Sequence, residues 1–268
     1  MKKSILILAV AITTVCLMAF AFYDRPYKQQ TEIIALAKVD ASSNYGPIGP
    51  MTGYMPEDFL VKVESRFMTT VTKEELNNAI TIFDIFPPEA VNGVAQYDLV
   101  EISIEKEEPL NKKEIGTKVE FNEAQRNLLA SLDYSTDFYL RTNIKRKNKY
   151  TEELSYDYIV YYMTVVPEKQ AEYSDGLNAL AEYLKQKAFE DKIIIDKYAL
   201  KPGRLDFTVT KTGDISDVYL DSSSGYSEMD ERLEVLLNEL PDKWTPAENA
   251  NGEPVNQKLV LFFGIQGC

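Results

Sequence analysis

The side chains that could carry acid–base or covalent chemistry are few, and what is missing narrows the field first. The 268 residues include no histidine, which removes the commonest general base near neutral pH and the commonest transition-metal ligand. Paired carboxylates such as Asp157 with Glu153, or Asp217 with Asp221, are what a glycoside hydrolase would use as acid and base. In a chain with 42 Asp and Glu such spacings arise by chance, and no nucleophile elbow or metal-ligand set accompanies them. The expectation is a protein with no catalytic residues, no metal and no cofactor, and so not an enzyme. Of the two cysteines, Cys16 lies in an apolar N-terminal run, so no intramolecular disulfide framework or cysteine zinc site can form in the rest of the chain. Cys268, at the extreme end, is a frayed thiol that could at most link two copies in an oxidising compartment; on that ground a homodimer stands among the partners.

Composition supports a folded chain: 45% of residues are hydrophobic and 26% charged, enough apolar material for one large core or two of ordinary size. A net charge of -13 repels phosphate backbones. The basic cluster Lys145-Arg146-Lys147 with Lys149 sits in an alternating strand pattern, so nucleic acid is not an expected partner.

The start of the chain reads as an address. Met1-Lys2-Lys3-Ser4 is followed by the apolar run Ile5 to Phe22, which Asp24-Arg25-Pro26 ends. Ala19-Phe20-Ala21 fits a cleavage site, yet the run is also long enough for a bilayer, so a signal peptide over 1–23 and an inner-membrane anchor over 5–22 both stand. Lys2 and Lys3 place the N-terminus in the cytoplasm in either case, and the remainder in the periplasm.

The elements beyond this run are mixed, and the class expected is α+β. A first region, 24–166, has strands at Ile33–Ala37 and Phe59–Val63, separated by a loop, Tyr45 to Tyr54, whose tyrosines would suit an interface. Thr72-Lys73-Glu74-Glu75 is a capping box opening a helix with Leu76, Ile80 and Phe83 on one face, stopped at Pro87-Pro88. A strand at Leu99–Ile104, a short helix opened by Asn122 and Gln125 with Leu128, Leu129 and Leu132, and a hairpin of Phe138–Lys145 with Leu154–Val166 complete it. The hairpin tip, Lys147-Asn148-Lys149-Tyr150, reads as a solvated end whose lysines discourage edge pairing.

A second region, 167–268, begins after Val166-Pro167. It has a helix with Leu177, Leu180, Ala181, Leu184 and Ala188 on one face, then a hairpin of Leu205–Val209 and Ile215–Leu220 around Thr212-Gly213-Asp214. Ser227 is positioned to cap a second helix carrying Met229, Leu233, Leu236, Leu237 and Leu240, ended by Pro241. Leu259-Val260-Leu261-Phe262-Phe263 is a strand apolar throughout, the pattern of a central strand or one paired on both sides.

Residues 203–264 resemble the C-terminal domain of the TonB family, in ordered pieces. Gly203 to Val218 is similar to its first hairpin, with Gly213 at the turn. Ser222-Ser223-Ser224-Gly225, the Leu-rich helix, Trp244-Thr245-Pro246-Ala247 and Asn251-Gly252-Glu253-Pro254-Val255 then come in the family's order. Trp244, Pro246, Asn251, Gly252 and Pro254 also have plain roles as a core anchor, a tight turn and stiffened loops. Upstream, Tyr173-Ser174-Asp175-Gly176 stands where many members have Tyr-Pro-Gly-Gly.

The resemblance implies a helix, β-hairpin, helix, β-strand module with an antiparallel sheet, and a periplasmic coupler that receives a segment of an outer-membrane receptor as an added strand. By that analogy Leu259, Val260, Leu261, Phe262 and Phe263 would be the receiving edge, with Tyr173 beside it, and inner-membrane motor proteins would be further partners. The chain departs from the family where energy is coupled: it has no histidine for a motor-engaging membrane helix, and a folded-looking region replaces the proline-rich spacer. A non-energised envelope adaptor or structural protein using the same module for another partner is the alternative.

Overall fold

The computed structural model describes residues 56, 58–105, 112–148, 150–190, 193, 195, 199–240 and 244–265. The run 5–22, the strand expected at Ile33–Ala37, the loop Tyr45–Tyr54, Pro241 and Cys268 lie outside them. Every described residue belongs to one compact unit within Met51–Cys268. The fold is α+β. Among the described residues no helix is long and apolar enough to cross a membrane.

In chain order, β1 (Leu60–Glu64) and β2 (Thr69–Thr72) lead into α1 (Lys73–Asn78), and two 3-10 turns, Ile82–Asp84 and Pro88–Val91, into β3 (Val94–Ile104) and β4 (Lys113–Gly116). Next come α2 (Glu123–Ala130) and a long hairpin, β5 (Asp137–Lys147) with β6 (Leu154–Val166). β7 (Glu172–Tyr173) precedes α3 (Leu177–Ala188), followed by β8 (Pro202–Val209), β9 (Ile215–Ser222) and α4 (Ser227–Asn238). Short β10 (Trp244–Thr245), β11 (Ala247–Glu248) and β12 (Pro254–Val255) bring the chain to β13 (Gln257–Gly264).

Two sheets carry two cores. A five-stranded sheet has the order β2-β6-β5-β3-β4, antiparallel except for the parallel β2/β6 pair. Alternation along β5 sends Phe138, Leu140, Thr142 and Ile144 to one face, where Phe121, Leu128, Leu129 and Leu132 from α2 and its flanks cover them. The four-stranded sheet β1-β13-β8-β9 is antiparallel throughout. Leu205, Phe207 and Val209 of β8 and Leu259, Leu261 and Phe263 of β13 pack there against Leu180 and Leu184 of α3 and Met229, Leu233 and Leu237 of α4. Each such side chain contributes about 1.5–3 kcal/mol of burial, set against the entropy of ordering it.

Local sequence accounts for most starts and stops, with two corrections. Both capping boxes form, Thr72 with Glu75 and Asn122 with Gln125. The first helix, however, ends at Asn78, leaving Ile80 62% exposed and burying Ile82. The Asp84 carboxylate accepts from the amides of Ile80 at 2.9 Å and Thr81 at 2.7 Å, a competing turn that pre-empts another helical round. Ser227 does not cap α4: the N-cap is Tyr226, whose side chain makes no capping bond, and Ser227 is the first helical residue. Asp230 in the first turn reaches back instead, accepting from the Ser224 amide at 3.0 Å and hydroxyl at 2.6 Å.

β13 has a neighbour on each side, β8 over its whole length and β1 from Leu60↔Gly264 to Glu64↔Val260. The first region of the chain thus supplies a strand to the sheet of the second, held by Phe59, whose ring meets Phe189 edge-on at 4.9 Å. At the turn after β8, Gly213 adopts φ +79, and a Cβ there would lie 2.1 Å from the Trp244 carbonyl oxygen. Gly252 also has a positive φ, +76, but open space around it. Gly213→Ala should therefore cost roughly 3 kcal/mol or more, from left-handed strain plus the clash, while Gly252→Ala costs about 1 kcal/mol from strain alone. Urea unfolding of the two variants checks the difference; equal losses would contradict this account of the turn.

Candidate functional site

Two features outside the apolar cores draw polar chemistry together. The first is a seam where the sheets meet. Asp206 lies between Leu205 and Phe207 on β8, so alternation turns it to the sheet's other face, yet it is completely buried. The Lys258 ammonium lies 2.6 Å from its Oδ2, and the Tyr219 hydroxyl donates to the same oxygen at 2.8 Å while accepting from Lys258 at 2.6 Å. Ser135, at the head of β5, accepts the Lys258 backbone amide at 2.8 Å. Beside them the Thr164 hydroxyl donates to Asp137 at 2.6 Å, and Arg66 reaches Asp137 at 3.7 Å and Asp221 at 3.9 Å. The cavity between these groups is about 10 Å³, room for a water and no substrate.

The charges explain why this cluster is a clasp. Burial pulls the Lys258 ammonium down, but hydrogen bonds to Asp206 and Tyr219 and the Asp206 charge outweigh it, so the net movement is upward. A lysine held protonated is neither base nor nucleophile at neutral pH. Burial moves the Asp137 carboxyl up, against the Thr164 hydrogen bond and the Arg66 charge.

The second feature is the outer edge of β6. The Val165 amide donates to Thr136 at 2.9 Å and its carbonyl accepts from Ser135 at 2.7 Å, so odd-numbered residues of β6 turn their backbone toward β5. Even-numbered residues, Leu154 through Tyr162, turn theirs outward. β2 pairs there only with Met163 to Val166, and among the described residues no strand covers 154–162. The Tyr158 amide is met by the Asp157 side chain at 2.8 Å. The same even-numbered residues project side chains onto the sheet's open face, with Tyr156 80% and Tyr158 57% exposed. Arg141 and Lys145 of β5 lean over those rings, each 5.0 Å from a centroid, on Tyr158 and Tyr156 respectively.

The residues singled out by sequence fall elsewhere. Leu259, Val260, Leu261 and Phe263 are buried and Phe262 partly so; β8 pairs with all five and β1 with Val260 to Phe263, so the strand expected to receive a partner has its backbone taken on both sides over 260–263. The apolar pattern that made this strand look central was the better guide than the analogy. Tyr173 is buried too, its ring 5.4 Å from that of Trp244, and Trp244 meets the Phe207 ring at a tilt, 5.9 Å between centroids, as a core anchor. Asn251 and Gly252 form the exposed turn between β11 and β12, Pro246 and Pro254 flank it, and Gly213 sits under Trp244. The acid pairs dissolve: Asp157 engages Arg146 at 3.2 Å, and Asp221 engages Arg204 at 2.6 Å. Among the described residues no three His, Cys, Asp or Glu gather as a metal site. Of the lysines expected to guard the hairpin, the described ones lie on β5, none on the open stretch of β6. Sequence reasoning passed over Asp206, Lys258 and this edge; the signal for the edge was a strand of 13 residues beside a β2 of 4.

Lys258→Met should cost about 3–5 kcal/mol by stranding the buried Asp206 charge, and adding Asp206→Asn should recover most of it; urea unfolding of the cycle measures both. Because the folded Asp137 pKa is raised, its favourable contribution is full below the ordinary value and is lost as pH rises through the folded one. Asp137→Asn should therefore gain relative to wild type between pH 4 and pH 7 in thermal melts, with the hydrogen bond from Thr164 retained. No protein family, curated protein or solved structure matches the chain.

Proposed function

We propose that the protein is a TonB-like interaction module of the cell envelope, exported to the periplasm, that works by binding and takes an extended segment of an outer-membrane receptor as an added β-strand. The observation that carries this is the uncovered edge of β6, where Leu154 to Tyr162 offers backbone donors and acceptors in register on one side. Strand addition draws its affinity from such groups and its choice from alternate side chains. The order α3, β8, β9, α4, β13, with Trp244 and Gly213 locked together, supports the TonB-like part of the reading.

One observation favours the non-energised adaptor as second reading. The strand that corresponds to the family's receiving edge already has β1 beside it, so the partner is met on the other sheet and a pull on that partner would load the β5/β6 hairpin. Coupling to motor proteins of the inner membrane belongs to the first reading alone.

The test uses the purified protein and immobilised receptor segments that are extended when bound, TonB-box peptides among them. Wild type should be retained. Val160→Pro removes one outward amide without touching the ladder to β5, a place where a strand tolerates proline; it should abolish retention while the melting temperature stays within a few degrees. Failure of every such peptide to bind, or equal binding by the proline variant, would sink the proposal.

A further inference from the structure

We infer that the strand accepted by β6 is acidic on the side that faces the open sheet; this rests on the strand-addition reading above and adds the chemistry of the partner. The face beside the open edge is cationic in a chain whose net charge is -13. Cross-strand register places Arg141 opposite Val160, Lys145 opposite Tyr156 and Lys147 opposite Leu154, all on the open side. Lys113 of β4 shares that face through Ser103 and Tyr139.

The acids nearest these cations are engaged, Asp98 by the Gln96 side-chain amide at 2.5 Å. Glu101 accepts the Tyr139 hydroxyl at 2.7 Å, and Glu152 at the hairpin tip lies 3.3 Å from Lys147. That leaves Arg141 with an aromatic face as its contact, 5.0 Å from Tyr158, while the Lys145 ammonium lies 5.0 Å from Tyr156 and donates to the Gln96 side-chain oxygen on β3 at 3.0 Å, keeping its full charge beside a neutral group. Those contacts have a direction. The Tyr158 contact aims Arg141 across β6, toward the line an added strand would take, while Lys145 stands between Gln96 of β3 and the Tyr156 ring of β6.

An added strand would lie two strand spacings, about 10 Å, from β5, and its alternate side chains would stand in the row beside Tyr156 and Tyr158. A carboxylate at such a position meets a cation already leaning toward it and tyrosine hydroxyls able to donate. An ammonium there would face like charge. A neutral side chain would gain the backbone bonds and ring contacts alone. The uncovered backbone favours a peptide over a polyanion that offers charge without amides, such as an acidic polysaccharide.

Three nine-residue peptides of alternating design test this, with Val and Thr on one face and Glu, Ser or Lys at every second position. Fluorescence anisotropy with the full chain should rank Glu above Ser by about tenfold at low salt, with Lys weakest, and the ranking should narrow as salt rises. R141E/K145E should reverse the order of Glu and Lys while leaving the Ser peptide within about twofold. Equal affinity for Glu and Ser peptides in the wild type would overturn the acidic partner and leave strand acceptance standing. Binding of none of the three would remove strand acceptance itself. A Glu-peptide advantage that survives Val160→Pro would mean that the face collects anions without adding a strand, and would overturn this inference too.

Discussion

Lys258 fastens the molecule at one position of β13 in two ways. Its ammonium sits on the buried carboxylate of Asp206, and its amide is held by Ser135 from the opposite sheet. A buried pair of this kind adds little net stability compared with an apolar substitute, but breaking it is costly, so it acts on arrangement more than on depth of stability. Val260 and Asp206 are register partners, and Glu64 pairs with Val260 from the other side; the clasp therefore sits where β1, β13 and β8 come together. Tyr219 extends it to β9. Through Asp137 and Thr164 the same cluster touches the first residue of β5 and the end of β6.

That location decides what is left uncovered. The seam occupies the Asp137 and Thr164 end of the five-stranded sheet's open face, and the chain crosses from β1 to β2 there. The Phe67 amide donates to Thr164 at 3.2 Å and its ring lies 5.4 Å from that of Tyr162. β2 then runs parallel to β6 from Met163 onward and cannot reach back toward Leu154 without reversing. The clasp and the open edge are one consequence of how the chain enters the second sheet.

Much of this was legible locally. The boxes Thr72/Glu75 and Asn122/Gln125 need only four residues each, and the face of Leu180, Leu184 and Ala188 needs only helical period. The β5/β6 hairpin comes from alternation and a polar tip. What was hidden depends on residues far apart. Alternation puts Asp206 on the face opposite Leu205 and Phe207, and only the second sheet, with Ser135 and Asp137, makes that face an interior. β1 joins β13 across nearly the whole described chain, which no pattern within either strand announces. The early end of α1 was a contest between two local solutions, and the Asp84 carboxylate settled it with two amides.

The other sheet edges show why the β6 edge is read as a working surface. β4 is four residues long and carries Lys113 and Glu114; β1 carries Lys62 and Glu64; β9 carries Asp217 and Asp221 opposite two register shifts in its pairing with β8. Short length, charge and irregularity are the means by which folded proteins keep edges from pairing. Leu154-Ser155-Tyr156-Asp157-Tyr158-Ile159-Val160-Tyr161-Tyr162 has Asp157 as its one charge, no proline and no glycine. It is rich in residues that favour strands, and Asp157 shields just one amide. Among the described residues three edges are blunted and the longest is left open, a place where an added strand gains backbone bonds without displacing the sheet's own.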